Sequence, residues 1–149
     1  MVTPLKDRAS DEQEPAASPR YSASWDTADA SIAEARSAVR TLLAQAGHEP
    51  RHRSSQDAQL VVSELVTNAV RHAPGPGELV LALTPDAALL RISVRDSSPH
   101  LPALPTHDAR RVGGHGLHLV NRLCDQLHTV ALDTGKQIVA HLRLHKPAD

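Results

Sequence analysis

The chain has no phenylalanine, one tryptophan, one tyrosine, one methionine and one cysteine among its 149 residues. Each scarcity excludes something. With so few aromatic rings there is no platform on which bases could stack, which argues against a single-stranded nucleic-acid binder. The core has to be built from Leu, Val, Ile and Ala. The lone Cys124 rules out an internal disulfide and agrees with a reducing cytoplasm. Its place on the apolar side of an expected helix makes it inert core. Charge of either sign is not in excess either. Sixteen Lys and Arg against seventeen Asp and Glu leave a formal charge of −1, so there is no general attraction to nucleic acid or to anionic lipid. No apolar run approaches the length needed to span a bilayer, and the first residues lack the charged-then-apolar pattern of a signal peptide. The expectation is a cytoplasmic protein with one domain and a sizeable core.

Taken in order, residues 1–20 carry Pro4, Pro15 and Pro19 among small and polar residues and read as a disordered tail. Residues 21–25 read as a short edge strand. A helix follows to about Ala46, with Ile32, Ala35, Val39, Leu42, Leu43 and Ala46 at three- and four-residue spacing. Gly47 is placed to end it. After a polar loop from His48 to Arg53, Ser54 and Asp57 resemble a capping box opening a second helix, which stops before Pro74. Residues 79–84 and 89–95 form an expected antiparallel hairpin, with Leu90, Ile92 and Val94 on one face and Arg91, Ser93 and Arg95 on the other. Residues 97–112 are proline-rich and poor in apolar side chains, as in a lid or binding loop. A helix is expected from Leu117 to about Leu127, then strands over 128–133 and 137–144 joined at Thr134-Gly135-Lys136. In the last strand Ile138, Ala140, Leu142 and Leu144 alternate with Val139, His141 and Arg143, the pattern of a sheet covered by helices on one face. Lys136, at the turn, reads as solvated. The domain spans 21–145, and 146–149 form a short tail.

Three pieces carry chemistry. In the second helix Glu64, Asn68 and His72 recur every four residues and form one polar stripe. Such a stripe is either a solvated helix face or part of a site that holds a hydrated metal ion. Asp96 sits at the end of a strand. Gly113-Gly114-His115-Gly116 leads into a helix, where free backbone N–H groups and the helix dipole favour phosphate, although glycines also serve as hinges. The P-loop and the dinucleotide fingerprint are both absent. The ten histidines are scattered without cysteine partners, so their spacing does not specify a zinc site.

The order of these pieces resembles the ATP-binding domain of the gyrase, histidine kinase and MutL superfamily, over roughly residues 28–144. The matching segments are Glu64-Leu65-Val66-Thr67-Asn68-Ala69-Val70-Arg71-His72-Ala73, Val94-Arg95-Asp96-Ser97-Ser98-Pro99 and Gly114-His115-Gly116-Leu117-His118-Leu119-Val120. The resemblance is strongest to small anti-sigma regulatory factors of the serine-kinase type. It implies a two-layer α/β sandwich with a mixed, mostly antiparallel sheet and helices on one face. It also implies ATP and Mg²⁺ as cofactors. On this pattern Asn68 would hold Mg²⁺, Glu64 would act as general base, and His72 would lie near the nucleotide. Asp96 would accept a hydrogen bond from the adenine amino group, with Ser98 packed close to the base. Gly114, His115, Gly116 and Leu117 would form the phosphate-binding helix start. Arg110 and Arg111, by position and charge, would reach the terminal phosphate.

Two departures from the family pattern bear on nucleotide affinity. Ser98 and His100 stand where glycines are usual, and Gly135-Lys136-Gln137 replaces a Gly-Lys-Thr run whose Thr would approach the adenine. The function this implies is an anti-sigma-like serine/threonine kinase. It would bind a sigma factor and phosphorylate a small antagonist protein; its stand-alone relatives often form a homodimer, and the sequence leaves open whether this chain does. The rival is a non-catalytic module that sequesters its partner through a degenerate nucleotide site. A simple ATPase fits less well, because no transducer segment is evident.

Overall fold

The computed structural model describes residues 18–26, 32–72, 75–98 and 115–145. Five strands and three helices follow in the order β1 (Arg20–Trp25), α1 (Ile32–Gln45), α2 (Arg53–His72), β2 (Gly77–Leu83), β3 (Leu89–Asp96), α3 (His115–Leu123), β4 (Gln126–Leu132) and β5 (Gly135–Arg143). The strands form one sheet in the order β1-β2-β3-β5-β4. The expected mixed, mostly antiparallel sheet is, among the described residues, antiparallel throughout. β5 lies inside the sheet rather than at its edge because the chain reaches the edge first, as β4, and then folds back between β4 and β3.

Alternation along the strands creates two unlike faces. Leu79, Leu81 and Leu83 of β2, Leu90, Ile92 and Val94 of β3, and Ile138, Ala140 and Leu142 of β5 are all buried on one face. The other face carries Arg91 and Arg95, both exposed, with Gln137, Val139 and His141 beside them. The buried face meets the apolar sides of the helices. α2 supplies Ala58, Val61, Val62, Leu65, Val66 and Ala69, each at most 1 % exposed. α1 adds Ala35, Val39, Leu42 and Leu43, and α3 adds Leu117 and Val120. Branched aliphatic side chains thus fill the space between the layers with almost no aromatic help; Tyr21 and Trp25 of the edge strand pack at its margin.

The helix ends differ from expectation in instructive ways. Gly47 does end α1, at a left-handed φ of 93° that glycine adopts without strain. His48, expected in a polar loop, is instead fully buried, and its Nε2 donates to the Ala87 carbonyl at 3.3 Å. That contact ties the end of α1 to the β2–β3 turn. Ser54 is not a cap. α2 begins one residue earlier, and the Ser54 hydroxyl accepts from the His145 N–H at 2.9 Å and donates to the His145 carbonyl at 3.2 Å. The third helix stops at Leu123 rather than near Leu127. The Asp125 N–H goes to the His141 carbonyl at 2.8 Å, and Leu127, read as helical from its spacing, pairs with Ala140 in the sheet. The boundaries of the two terminal tails fall mostly outside the described residues; β1 itself starts at Arg20.

Two outcomes follow for the core. Leu65 is completely buried at the middle of α2, so Leu65→Ala should cost about 2–5 kcal/mol of unfolding free energy in a denaturant titration. Cys124 packs half-buried against the core, and burial, helped by the charge of Asp125, pushes its thiol up to about 12. The thiolate is the reactive form. At pH 8 the native protein should therefore react with a disulfide reagent about a thousandfold more slowly than the urea-unfolded chain, as read by absorbance.

Candidate functional site

Asp96 is the last residue of β3 and continues the row Leu90, Ile92, Val94 on the helix-covered face. A carboxylate there is out of water; Asp96 is 3 % exposed. It is not alone. Directly opposite in the β3–β5 register stands Lys136, itself 1 % exposed, with Nζ 2.6 Å from Asp96 Oδ2. The other oxygen, Oδ1, accepts from the Ser98 N–H at 2.9 Å, an Asx-type turn that carries the chain off the strand. Ser98 is buried as well.

The reading of Lys136 as a solvated turn residue is therefore wrong. Its physical reason is the period of the strand. Counting back by two from Leu142, Ala140 and Ile138 places Lys136 on the core face. The same count puts Gln137 on the opposite face, between Arg95 and Val130 in register. Gln137 consequently does not stand at the Asp96 side of the sheet, and the expected departure at that residue bears on the other face. The alternation that would have found Lys136 was present in the sequence; proximity to Gly135 and a formal charge outweighed it.

Gly135 has its own constraint. A Cβ added there would land on the Asp96 carbonyl oxygen and press on Ser97 Cα. The β4–β5 turn thus closes directly over the backbone of Asp96, and only glycine permits the approach. On the opposite side, Gly77 is the cross-strand partner of Asp96 and lies under the Trp25 ring, which a Cβ would strike. Ser97 donates to the Pro76 carbonyl at 3.2 Å. Turn, strand end and edge strand are thereby packed around one carboxylate.

α2 delivers its C-terminal half to the same end of the sheet, because only residues 73–76 separate His72 from Gly77. The two sides of this helix differ as the stripe implied. The apolar side is buried, Glu64 is half-buried, and Asn68 is 9 % exposed. Asn68 Oδ1 is buried and, among the described residues, has no hydrogen-bond partner. An amide oxygen left without a donor inside a protein is unusual, and it is the hard oxygen ligand that Mg²⁺ prefers. The residue present fits the ion. His72 is the final residue of α2; its side chain lies outside the described residues. α3 starts at His115, and a two-residue link to β4 turns the chain back at the far end of the sheet. Its first turn, containing His115, Gly116 and Leu117, is thus directed toward the Asp96 end. Leu117 is buried in the core, whereas the side chain of His115 is not described. Arg110, Arg111, Gly114 and the rest of the expected lid from 99 onward lie outside the described residues. Among the described residues no group of His, Cys, Asp and Glu is arranged to hold a metal.

No curated protein sequence matches the chain. Among solved structures, the chain resembles the RsbU and RsbW domains of Rv1364c from Mycobacterium tuberculosis, with a TM-score of 0.64 and 24% identity. That match covers 87% of this chain and 34% of the other, so the chain spans about a third of that protein's length. It also matches the histidine kinase domain of the Erythrobacter litoralis blue-light activated histidine kinase EL346, with a TM-score of 0.49 and 19% identity over 73% of this chain and 60% of that one. The catalytic domain of histidine kinase ThkA matches with a TM-score of 0.49 and 14% identity, over 83% of this chain and 95% of that one. The family described as the histidine kinase-like ATPase domain matches residues 25–142, which is most of the chain and takes in every element described above except β1, of which only Trp25 is included, and the last residue of β5, and the chain belongs to that family.

Proposed function

We propose that the protein binds Mg·ATP at the Asp96 end of the sheet and uses it to phosphorylate a serine or threonine on a small partner protein, in the manner of an anti-sigma kinase. The observation that carries this reading is the pairing of two features at one end of the sandwich. A buried carboxylate, Asp96, is held at the strand end, and an unpartnered buried amide oxygen, Asn68 Oδ1, is held on the helix that leads into the same end. The first suits the amino group of a purine base. The second suits a hard divalent cation at the phosphates. The likeness to a structure containing an RsbW domain supports the regulatory side of the reading.

In this proposal Asn68 holds Mg²⁺, whose chemistry when bound is the neutralisation of charge on the phosphate oxygens. Glu64, one helical turn before Asn68, takes the proton of the attacking hydroxyl and keeps it in line. His72 lies near the nucleotide, and Ser98 lines the base side through the turn that it makes with Asp96. The backbone N–H groups of Gly114, His115, Gly116 and Leu117 receive phosphate at the start of α3, and Arg110 and Arg111 balance the terminal phosphate. The partner is a sigma factor, its antagonist or both, and the working state is a cytoplasmic homodimer. No helix among the described residues is long and apolar enough to cross a membrane.

One observation favours a second reading. Both oxygens of Asp96 already accept hydrogen bonds from within the chain. A carboxylate engaged at both oxygens has fewer acceptor positions left for a base, which suits a module that sequesters its partner without phosphoryl transfer.

Calorimetric titration with ATP, with and without Mg²⁺, separates the readings at the first step; no binding at millimolar nucleotide removes the kinase. Asn68→Ala should abolish the gain in ATP affinity that Mg²⁺ provides while leaving the metal-free affinity unchanged. With labelled ATP and candidate antagonist proteins, Glu64→Ala should slow phosphate transfer by about 10²–10⁴-fold with little change in ATP binding. Tight partner binding by the unaltered protein without any transfer would establish the sequestering module.

A further inference from the structure

We infer that the Gly135-Lys136 corner of β5 is the device that positions Asp96, and that Lys136 is the positioning residue through which the site distinguishes a purine carrying a 6-amino group from one that lacks it. The inference rests on the nucleotide reading above and deepens it.

A 6-amino group is a donor, and it is recognised by a group that can only accept. An ionised carboxylate is acceptor-only; a protonated one carries a donor of its own and loses the distinction. Asp96 lies on the buried face of an aliphatic sheet, where a lone carboxylate is driven toward its neutral form. Its cross-strand neighbours offer no help besides Lys136. Gly77 stands opposite on β2, and Val94 and Ile138 are the next residues along the same face. Ala131, across from Lys136 on β4, is likewise uncharged. Among the described residues the Lys136 ammonium, 2.6 Å from Oδ2, is the cation that faces Asp96 and presents it with a counter-charge.

Orientation follows from the same contacts. Lys136 holds Oδ2, the Ser98 N–H holds Oδ1, and the Gly135 backbone closes over the Asp96 carbonyl. The carboxylate plane is thus restrained at both oxygens and at its own main chain. A carboxylate has about four acceptor positions, so the two contacts found among the described residues leave capacity for a ligand donor. Lys136, at 1 % exposure, is enclosed behind Asp96 and acts through it.

The test compares two nucleotides that share ribose, triphosphate and Mg²⁺: ATP and purine riboside 5′-triphosphate, which lacks the 6-amino group. Calorimetry on the full chain should show ATP binding at least about tenfold tighter, as expected for one hydrogen bond to a charged acceptor. In Lys136→Met this preference should fall to within about twofold, while purine riboside triphosphate binds as before. A merely structural lysine would weaken both nucleotides together. Full ATP preference in Lys136→Met, or equal weakening of both ligands, overturns the inference. If Lys136→Met does not fold, Lys136→Gln, which retains a donor without the charge, is read in the same way and should show an intermediate preference. Failure of both variants to fold would make Lys136 a determinant of the fold and overturn the positioning role. Two results on the unaltered protein separate this inference from the reading beneath it. Binding of neither nucleotide removes the nucleotide site altogether. Equal binding of both leaves the nucleotide site standing and removes the role of Asp96 and Lys136 in base recognition.

Discussion

A carboxylate buried between an aliphatic sheet and its covering helices requires a counter-charge, and much of this fold is arranged so that Asp96 has one. The partner is on a different strand, 40 residues along the chain. Its placement therefore depends on the β3–β5 register. Slipping that register by one residue would bring Gln137 opposite Asp96 and turn Ile138, Ala140 and Leu142 out of the core. The apolar rows of the two strands and the ion pair at their end consequently enforce the same alignment. The β4–β5 turn adds a further condition, because its glycine has to pass against the Asp96 backbone before Lys136 can enter.

The helices give that strand end a fixed setting. α2 buries one side completely against the sheet, from Ala58 to Ala69, which leaves Glu64 and Asn68 no freedom to rotate around the helix axis. α1 and α3 flank it and are likewise anchored by Leu, Val and Ala. Polar contacts secure the periphery rather than the centre. His48 fastens the end of α1 to the β2–β3 turn, and Ser54 fastens the start of α2 to the chain beyond β5. Both lie outside the strip formed by Asn68, Asp96 and Lys136, so the core and its pins position the site without entering it.

Much of this was legible from periodicity. The spacing of Val62, Leu65, Val66 and Ala69 identifies the buried side of α2, and the alternation in β3 and β5 identifies the buried face of the sheet. Asn68 stands out through the polar stripe that it forms with Glu64 and His72 at four-residue spacing, and Asp96 through its place at the end of a strand. What escaped the sequence depended on tertiary partners. Leu127 has helix-compatible spacing, and only the pairing with Ala140 makes it a strand residue. Ser54 looks like a cap until the His145 backbone claims its hydroxyl. His48 and Lys136 are polar residues beside glycines, which locally means a wet turn. Their burial is decided by a carbonyl and a carboxylate distant in sequence. In the case of Lys136 the local cue conflicted with the strand period, and the period was the better guide.

Why the pair is kept as a pair is a separate question from how it is accommodated. Replacing a buried ion pair by packed apolar side chains is typically neutral or stabilising by about 1–4 kcal/mol, whereas removing one partner alone costs about 3–5 kcal/mol. On stability alone, a strand end of leucine and valine would serve this sandwich at least as well, and the rest of the sheet shows that the fold supplies such residues freely. A charge at the end of β3 is thus better explained by what it presents than by what it holds together. Asp96, restrained at two oxygens, is a rigid acceptor at the end of the sheet to which α2 runs, and the Asn68 oxygen on that helix has no partner among the described residues. Both groups are costly to leave in a core and useful in a ligand site. Their occurrence toward one end of an otherwise aliphatic sandwich is the physical argument behind the proposal that this end is the binding site.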